Sequence, residues 1–533
     1  MLFSKHTISV ESTSLFSDLF NDYLTQSENI KPFYEQHIKW DDFDAYMQKQ
    51  TFDYINRSVL VKALQKQANQ ISNTSVASQT NINLLEQTST YTITTGHQLC
   101  LFTGPLYFIY KIISTLNLCK TLHQKFPDKK FVPVYWMASE DHDFDEINHT
   151  HVYGKKITWD TTQKGCVGEF DTKEIKSAIA ELKLILGENT SSNSLIQLFE
   201  DAYLKHHNLA DATRFLVNAL FGDYGIVIVD GNDCDLKHLF KKEFNADVFE
   251  NSSFKMVNNS ITELKKNYSI QVTPRPINVF YKEHQVRERI EKQEDTYKVL
   301  NSNICFSEEE MKHFIDNSSD KLSPNVVLRP LYQQKILPNI CYVGGPGEIA
   351  YWLEYKAMFN HFGIHFPILM PRHFVMIIDK NSQSKIQKLN FDTKAVFEDG
   401  DTLVKQLIKH QHQDVKLNDT KQELVRLYES ILETVSNIDK SLIGTTEAEK
   451  QKTMNGISII EQKINRALKQ KSDTDIQQIW ALKDKLFPKN LPQERHDNFS
   501  MYYSKFGKEF ITELIKLLDY DLINFEYTIL KEV

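Results

Sequence analysis

Seven titratable side chains, Glu140, Asp141, His142, Asp143, Asp145, Glu146 and His149, fall within ten positions just after the apolar run Phe131–Trp136. Crowded carboxylates raise one another's pKa, and a neighbouring imidazole moves protons, so the segment is equipped for acid–base work. Asp141, His142 and Asp143 are the catalytic candidates, with Glu140 and His149 placed to hold a substrate. The same oxygens suit Mg2+, whose ligands often include phosphate. Zinc fits less well, because no H-E-x-x-H occurs and the spacings are not those of a zincin. The bland alternative is a solvated acidic turn that caps a helix starting near Asp145.

A second group, Gly96, His97, Gln98, Thr103 and Gly104, follows the β-branched run Tyr91–Thr95. Gly96 permits a sharp turn, and Thr103 is expected to cap a helix opening at Pro105. The partial positive charge and free donors of that helix end would receive phosphate or carboxylate, with His97 and Gln98 adding donors. This group is the expected nucleotide or phosphate site. It matches neither G-x-G-x-x-G nor G-x-x-x-x-G-K-[ST], and an ordinary capped turn is the alternative.

The third group is Arg329, Gly344, Gly345, Glu348 and Tyr351, joined by Arg372 after the last apolar run. The glycines allow close backbone approach, and the two arginines suit bidentate pairing with carboxylate or phosphate. A structural Arg–Glu ion pair is the competing reading. Arg275, between two prolines, is a weaker candidate. So is Lys111, where a solvated helix face is the ordinary explanation. Cys100 sits beside the second group, where a buried, inert thiol is the commoner case.

These groups need a scaffold that brings loop ends together. Residues Met1–Leu85 read as mostly helical, with Leu60, Val61, Leu64 and Ala68 at helical spacing and a serine-rich loop over Ser72–Thr80. A strand at Tyr91–Thr95, a helix from Gly104-Pro105 that stops before Pro127, and a strand at Phe131–Met137 make a right-handed crossover and a parallel sheet. Further strands are expected at Gly225–Asp230, Val326–Leu328, Ile340–Val343 and Phe366–Met370, with a helix from Pro346 to about Asn360. One more strand, Ile277–Tyr281, falls within an insertion. The fold class is α/β: a Rossmann-like parallel-sheet core with inserted connecting segments (about 150–220 and 235–325), whose chemistry lies at the carboxyl ends of the strands.

Past Asp379 the pattern changes. Leu424, Tyr428, Ile431, Val435, Ile438 and Leu442 alternate four and three apart, a short coiled-coil seam. Gly444-Thr445 is expected to break it before a second amphipathic helix (Ile457, Ile460, Ile464, Leu468), and Ile476, Ile479, Leu482 and Leu486 extend the theme. The expected domains are 1–380 (the core), 381–490 (an α-helical coiled-coil domain, either packed on its own body or a dimer arm) and 491–533 (helices returning to the core, with Phe510, Leu514, Leu517 and Leu518 on one face).

The chain of 533 residues exceeds one ordinary core. A net charge of -8, spread along the chain, argues against coating nucleic acid. No run approaches a membrane span, and the start lacks a secretory leader. Six scattered cysteines without a C-x-x-C pair fit reduced thiols in a cytoplasmic protein.

Three of these segments carry a resemblance. Thr95–Lys111 reads T-G-H-Q-x-x-L-F-T-G-P-L-Y-x-I-Y-K, and Trp136–His149 reads W-M-A-S-E-D-H-D-F-x-E-x-N-H. Gly344–Trp352 reads G-G-P-G-E-I-A-Y-W, followed by P-x-L-x-P-R at Pro367–Arg372. With Leu486-Phe487-Pro488 and Leu491–Arg495, the chain resembles the cysteine-adding enzymes of bacillithiol synthesis, the cysteine ligases, over most of its length. In that family glutamine also occurs at the position of His97, so His97 is not assigned as the base. The resemblance implies a coiled-coil homodimer and the last step of the pathway, joining the carboxyl of L-cysteine to the amine of glucosaminyl-malate. An amide needs an activated carboxylate, so ATP or another activating nucleotide is implied, by way of an adenylate or acyl phosphate, with Mg2+ an optional companion. Orienting the two reactants is worth ~7–11 kcal/mol. The rival functions are another ATP-dependent ligase or nucleotidyltransferase on the same scaffold, a non-catalytic dimeric binding protein and, more weakly, a zinc hydrolase.

Overall fold

The computed structural model describes residues 1–411, 417–520 and 525–533; the side chains of residues 408–411 and 468–472 lie outside that description. The chain forms two compact units, residues 1–377 with 491–533, and residues 378–490.

The larger unit is organised by a five-stranded parallel sheet: β1 (Thr90–His97), β2 (Lys130–Met137), β3 (Val227–Asp230), β4 (Asn339–Gly344) and β5 (Ile368–Pro371). Its order is β5-β4-β1-β2-β3. The chain therefore builds outward from β1 in one direction and later returns on its other side. That makes the β1/β4 boundary the topological switch point, where open α/β sheets bind ligands. Near-continuous burial of these strands is what a sheet covered on both faces requires. The threonines of β1 are partnered within the sheet: Thr92 and Thr94 donate to the Asn339 side chain at 3.2 and 2.7 Å, and Thr95 to the Val343 carbonyl at 2.8 Å.

Helix α1 (Tyr107–Lys125) links β1 to β2 and is buried on nearly every side. Between β2 and β3 lie a short helix (Phe144–Ile147), a small hairpin (His149–Val152 with Lys155–Thr158) and three longer helices. Between β3 and β4 lie helix α2 (Cys234–His238), an antiparallel five-stranded sheet that includes Val279–Glu283, Val286–Gln293 and Leu322–Pro324, and helix α3 (Arg329–Ile336). Helix α4 (Pro346–Leu353) follows β4.

Several expectations change. Val326–Leu328 is a turn: Asn325 accepts the Val327 and Leu328 N–H groups at 2.8 and 3.3 Å and starts α3, whose first turn Pro330 favours. The helix from Pro346 divides, α4 ending at Leu353 and another running Lys356–Phe362. Ser72–Thr80 is half helix, because Ser75 caps Val76–Leu84 by accepting the Ser78 N–H at 3.0 Å. The helical N-terminal region is preceded by a strand, Phe3–Ser9, paired antiparallel with Glu526–Glu532, which also borders Phe374–Ile378.

The smaller unit, described by itself, is a helical hairpin on short helices. Helix α5 (Asn418–Ile438) and helix α6 (Ile443–Leu486) are tied by Lys421–Glu461 at 2.5 Å and by Tyr428–Thr453 at 2.8 Å. The turn falls at Asp439–Leu442 rather than Gly444-Thr445, because Asp439 accepts the Ser441 N–H at 2.8 Å; Gly444 lies inside α6. A small core of Leu389, Leu403, Leu407 and Ile479 closes the base. Leu468, expected on the second helix's apolar face, has its side chain outside the described residues.

Candidate active site

The carboxyl ends of β1, β2 and β4 open onto a cavity of about 880 Å3. Its wall takes Gly96, His97 and Gln98 from the end of β1, and Glu140, Asp141, His142 and Glu146 from beyond β2. Arg329 comes from α3, Gly345, Glu348 and Tyr351 from the β4–α4 segment, and Arg372 from beyond β5. The three segments singled out in the sequence thus meet at the switch point.

The floor is one buried network. Lys111 Nζ reaches Glu348 Oε2 at 2.6 Å and the Gly96 carbonyl at 2.5 Å. Glu348 also accepts the Tyr342 hydroxyl at 2.6 Å and the Gly345 N–H at 2.9 Å. Burial pushes the Glu348 pKa up, but Lys111 and these donors win and hold it below the usual carboxylate range. Burial lowers Lys111 against the opposing pull of Glu348. A helix end after β1 is thereby locked to a helix start after β4. Lys111 has no solvated face, being 2% exposed, so that expectation is corrected. The partner of Glu348 is Lys111, not Arg329.

The acidic loop is dispersed rather than pooled. Glu140 pairs with Lys237 Nζ at 2.5 Å; burial would raise its pKa, but Lys237, Lys282 and Arg287 hold it low. Asp141 and Glu146 share one partner, the Gln98 amide, at 2.9 and 2.7 Å. Burial works against ionised Asp141, yet Gln98, Arg329 and Arg287 keep its pKa below normal. The expected mutual raising of carboxylate pKa values is therefore not found for Glu140 and Asp141, because cations and donors outweigh it.

His142 Nδ1 lies 2.5 Å from Arg287 Nη1. A guanidinium only donates, so Nδ1 accepts and the ring proton belongs on Nε2. Burial and then Arg287 lower the His142 pKa. In this arrangement His142 offers a donor to the cavity, not a free base. His97 is driven well below the usual imidazole range by burial and then by Lys111, Arg372 and Arg329. That favours the neutral ring, which packs against the Tyr107 and Phe108 rings with centroids 5.2 Å away. Burial pushes the Cys100 thiol up to about 12, which favours the protonated form, and its Sγ lies 3.8 Å from His97 Nε2.

Cations dominate the wall. Lys111 and six arginines (Arg275, Arg287, Arg289, Arg329, Arg372 and Arg495) face four carboxylates. Arg372 is spoken for by a bidentate pair with Glu494, at 2.9 and 2.7 Å. Once Lys111–Glu348, Lys237–Glu140 and Arg372–Glu494 are set aside, five arginines face Asp141 and Glu146. Arg329 is held firmly charged: burial opposes this, but Tyr351, Tyr342 and Asp141 raise its pKa.

Other assignments are not brought to the cavity wall. Thr103 caps nothing; its backbone has φ +72° and its hydroxyl is buried without a hydrogen-bond partner among the described residues. Gly104, at φ +70°, packs against Cys100, and an added Cβ would lie 2.6 Å from that side chain. The expected phosphate-receiving helix end is already covered: the Leu106 N–H donates to the Asp497 carbonyl at 2.8 Å, and the Asn498 amide to the Phe102 and Gly104 carbonyls. Asp143 is exposed outside the cavity, and His149 pairs with Asn148 at 2.9 Å. Gly344 stands just behind the wall, its carbonyl accepting the Arg372 N–H. Sequence reasoning missed Arg287, Arg289, Glu494 and Arg495. The first two sit on an insertion strand without a motif, whereas Glu494 and Arg495 lie in the Leu491–Arg495 block, whose likeness was visible but whose role was not.

The fold and cavity define a Rossmann-like α/β protein with an arginine-rich site at its switch point and a separate helical hairpin unit. Residues 3–373 match the family described as bacillithiol biosynthesis BshC, N-terminal Rossmann-like domain, and residues 375–532 match its C-terminal coiled-coil domain. The chain belongs to the BshC family. Similar relatives, each named "Putative cysteine ligase BshC", include that of Flavobacterium psychrophilum, 43% identical over 95% of this chain and 96% of the relative. That of Flavobacterium johnsoniae is 42% identical over 96% and 97%. That of Bacillus cereus is 28% identical over 82% and 84%.

Proposed function

We propose that this chain is a ligase that makes the amide bond of bacillithiol, joining the carboxyl of L-cysteine to the amine of glucosaminyl-malate with ATP as co-substrate. The observation that carries this reading is the charge layout of the cavity: five arginines that form no ion pair among the described residues, around a single carboxylate pair, Asp141 and Glu146. Such a wall suits reactants that are anionic at malate and phosphate and cationic at one amine. The volume lies within the range for a substantial ligand.

In this reading the cysteine carboxylate attacks the α-phosphorus of ATP and pyrophosphate leaves. The amine, held by Asp141 and Glu146 as the ammonium, loses one proton to solvent and as the free amine attacks the acyl carbon. AMP leaves with the C–O bond electrons, and a second proton passes from the nitrogen to solvent or to the departing phosphate. Arg329 and Arg287 balance the developing negative charge, and His142 donates from Nε2. Two carboxylates already bridged by Gln98 make a poor Mg2+ cage on their own, so any Mg2+ would arrive with the phosphates. Chemistry that needs ATP and a reduced thiol suits the cytoplasm, and no helix among the described residues is long and apolar enough to cross a membrane.

We further propose a homodimer through the helical hairpin, because α5 has no buried residue in the single chain while Leu427 and Ile431 are exposed on one face.

The test is to incubate purified protein with L-cysteine, glucosaminyl-malate and ATP and look for the amide by mass, following AMP and ADP separately. AMP with pyrophosphate supports the adenylate route, and ADP with phosphate replaces it by an acyl phosphate. No amide with either nucleotide sinks the ligase reading.

A further inference from the structure

Outside the cavity, the described residues hold one cluster with the chemistry of a transition-metal site. Cys234 and His238 stand one turn apart on α2, and Asp320 reaches them from the turn Ser319–Lys321 that precedes Leu322–Pro324. Their ligand atoms all lie within 4.8 Å of one another, with Cys234 Sγ 4.0 Å from His238 Nδ1. Tetrahedral zinc, with Zn–S near 2.3 Å and Zn–N near 2.0–2.1 Å, needs that separation at roughly 3.6 Å. That pair must close by a few tenths of an ångström, and the Asp320 carboxylate, within 4.8 Å of both, must draw in as the ion binds. The donor set is thiolate, imidazole and carboxylate, which favours zinc over Mg2+ or Ca2+. A thiolate and a carboxylate neutralise the dication. Asp233 and Asp235 flank the cysteine and add negative potential, partly offset by Lys66 at 3.6 Å from Asp233. Cys234 is exposed, so an ion can enter from solvent.

We propose that Cys234, His238 and Asp320 bind one zinc ion, with water completing the tetrahedron. None of the three lines the cavity. The site's effect on the cavity is indirect and runs through Lys237, which lies between the two ligands of α2. Lys237 Nζ contacts Glu140 on the cavity wall and the Leu322 carbonyl, two residues beyond Asp320. Zinc would clamp α2 to the Asp320 turn at the point where Lys237 already bridges them.

The experiment uses the full-length protein, stripped with chelator and titrated with Zn2+ and, separately, with Co2+. The expected result is one metal per chain and a sulfur-to-cobalt charge-transfer band. Cys234→Ser and His238→Gln should each weaken binding by at least about 10–100-fold, the loss that even outer-shell partners command. Cys305→Ser, at another exposed thiol, should leave it unchanged. A measurement on the unaltered chain guards against misfolded variants: Zn2+ should slow alkylation of Cys234, read by peptide mapping, while Cys305 reacts at its former rate. Absence of stoichiometric binding, cobalt binding without the thiolate band, or a Cys234 that alkylates equally fast with Zn2+ each overturns the proposal.

Discussion

At the scale of single residues, the cavity assigns roles that type and spacing left open. Gln98 was readable as a donor, but not that its one amide holds two carboxylates 43 and 48 positions away. If Asp141 grips the substrate amine, Asp141→Asn removes a charge-assisted contact worth about 1.5–3 kcal/mol. Steady-state kinetics should then show kcat/KM for glucosaminyl-malate falling ~10–150-fold, with the KM for cysteine little changed. His142 tests the division of labour differently. As a neutral Nε2 donor it is replaceable by an amide, so His142→Gln should stay within a few-fold of the parent kcat, while His142→Ala drops by about 10-fold. A loss of 10²–10⁴ in the glutamine variant would instead mark His142 as the base. The sequence named His142 as catalytic because a histidine among acids invites that reading; the arginine that fixes its tautomer sits 145 positions away.

At the scale of elements, Lys111 shows why an apolar helix with one lysine misleads. Helical periodicity assumes an outer face, but α1 lies between sheet and covering helices and has none over this stretch. Breaking its pair with Glu348 strands a carboxylate in the protein interior. Lys111→Met should cost about 3–5 kcal/mol in denaturant unfolding. Adding Glu348→Gln should recover part of that loss; a strictly additive double mutant would deny the coupling. The irregular segment 269–278, part of the cavity wall through Gln271, Thr273 and Arg275, is held by two buried acids: Glu354 accepts the Gln271 N–H at 2.8 Å and Asp247 the Asn278 N–H at 2.6 Å. Burial raises both pKa values to about 7. Between about pH 4 and pH 7 the folded chain keeps protons that the unfolded chain has released, so the stability contribution of both acids falls as pH rises through that window. Each adds a downward slope of up to about 1.4 kcal/mol per pH unit. Urea unfolding from about pH 5 to pH 8 should show this slope, and Asp247→Asn should flatten it.

At the scale of the whole molecule, the parallel sheet and the helical hairpin were legible because each rests on local periodicity. The terminal strands were not: Phe3–Ser9 and Glu526–Glu532 find each other across more than 500 positions, and neither has a turn signal to announce a partner. The same limit hid Arg287 and Arg495, which enter the cavity from an insertion and from the chain's last segment. The hairpin raises the remaining question, what covers α5. Leu427 is 59% and Ile431 is 39% exposed, one turn apart on a helix with no buried residue. Burying an aliphatic side chain is worth about 1.5–3 kcal/mol, and a symmetric dimer would bury four of these two kinds. Leu427→Glu with Ile431→Glu should therefore raise the dimer dissociation constant by at least on the order of 10³. Sedimentation equilibrium should find the parent dimeric and the variant monomeric at micromolar concentration. A parent that sediments as a monomer removes the second copy as the cover for this face, and an unshifted variant moves the interface elsewhere on the chain.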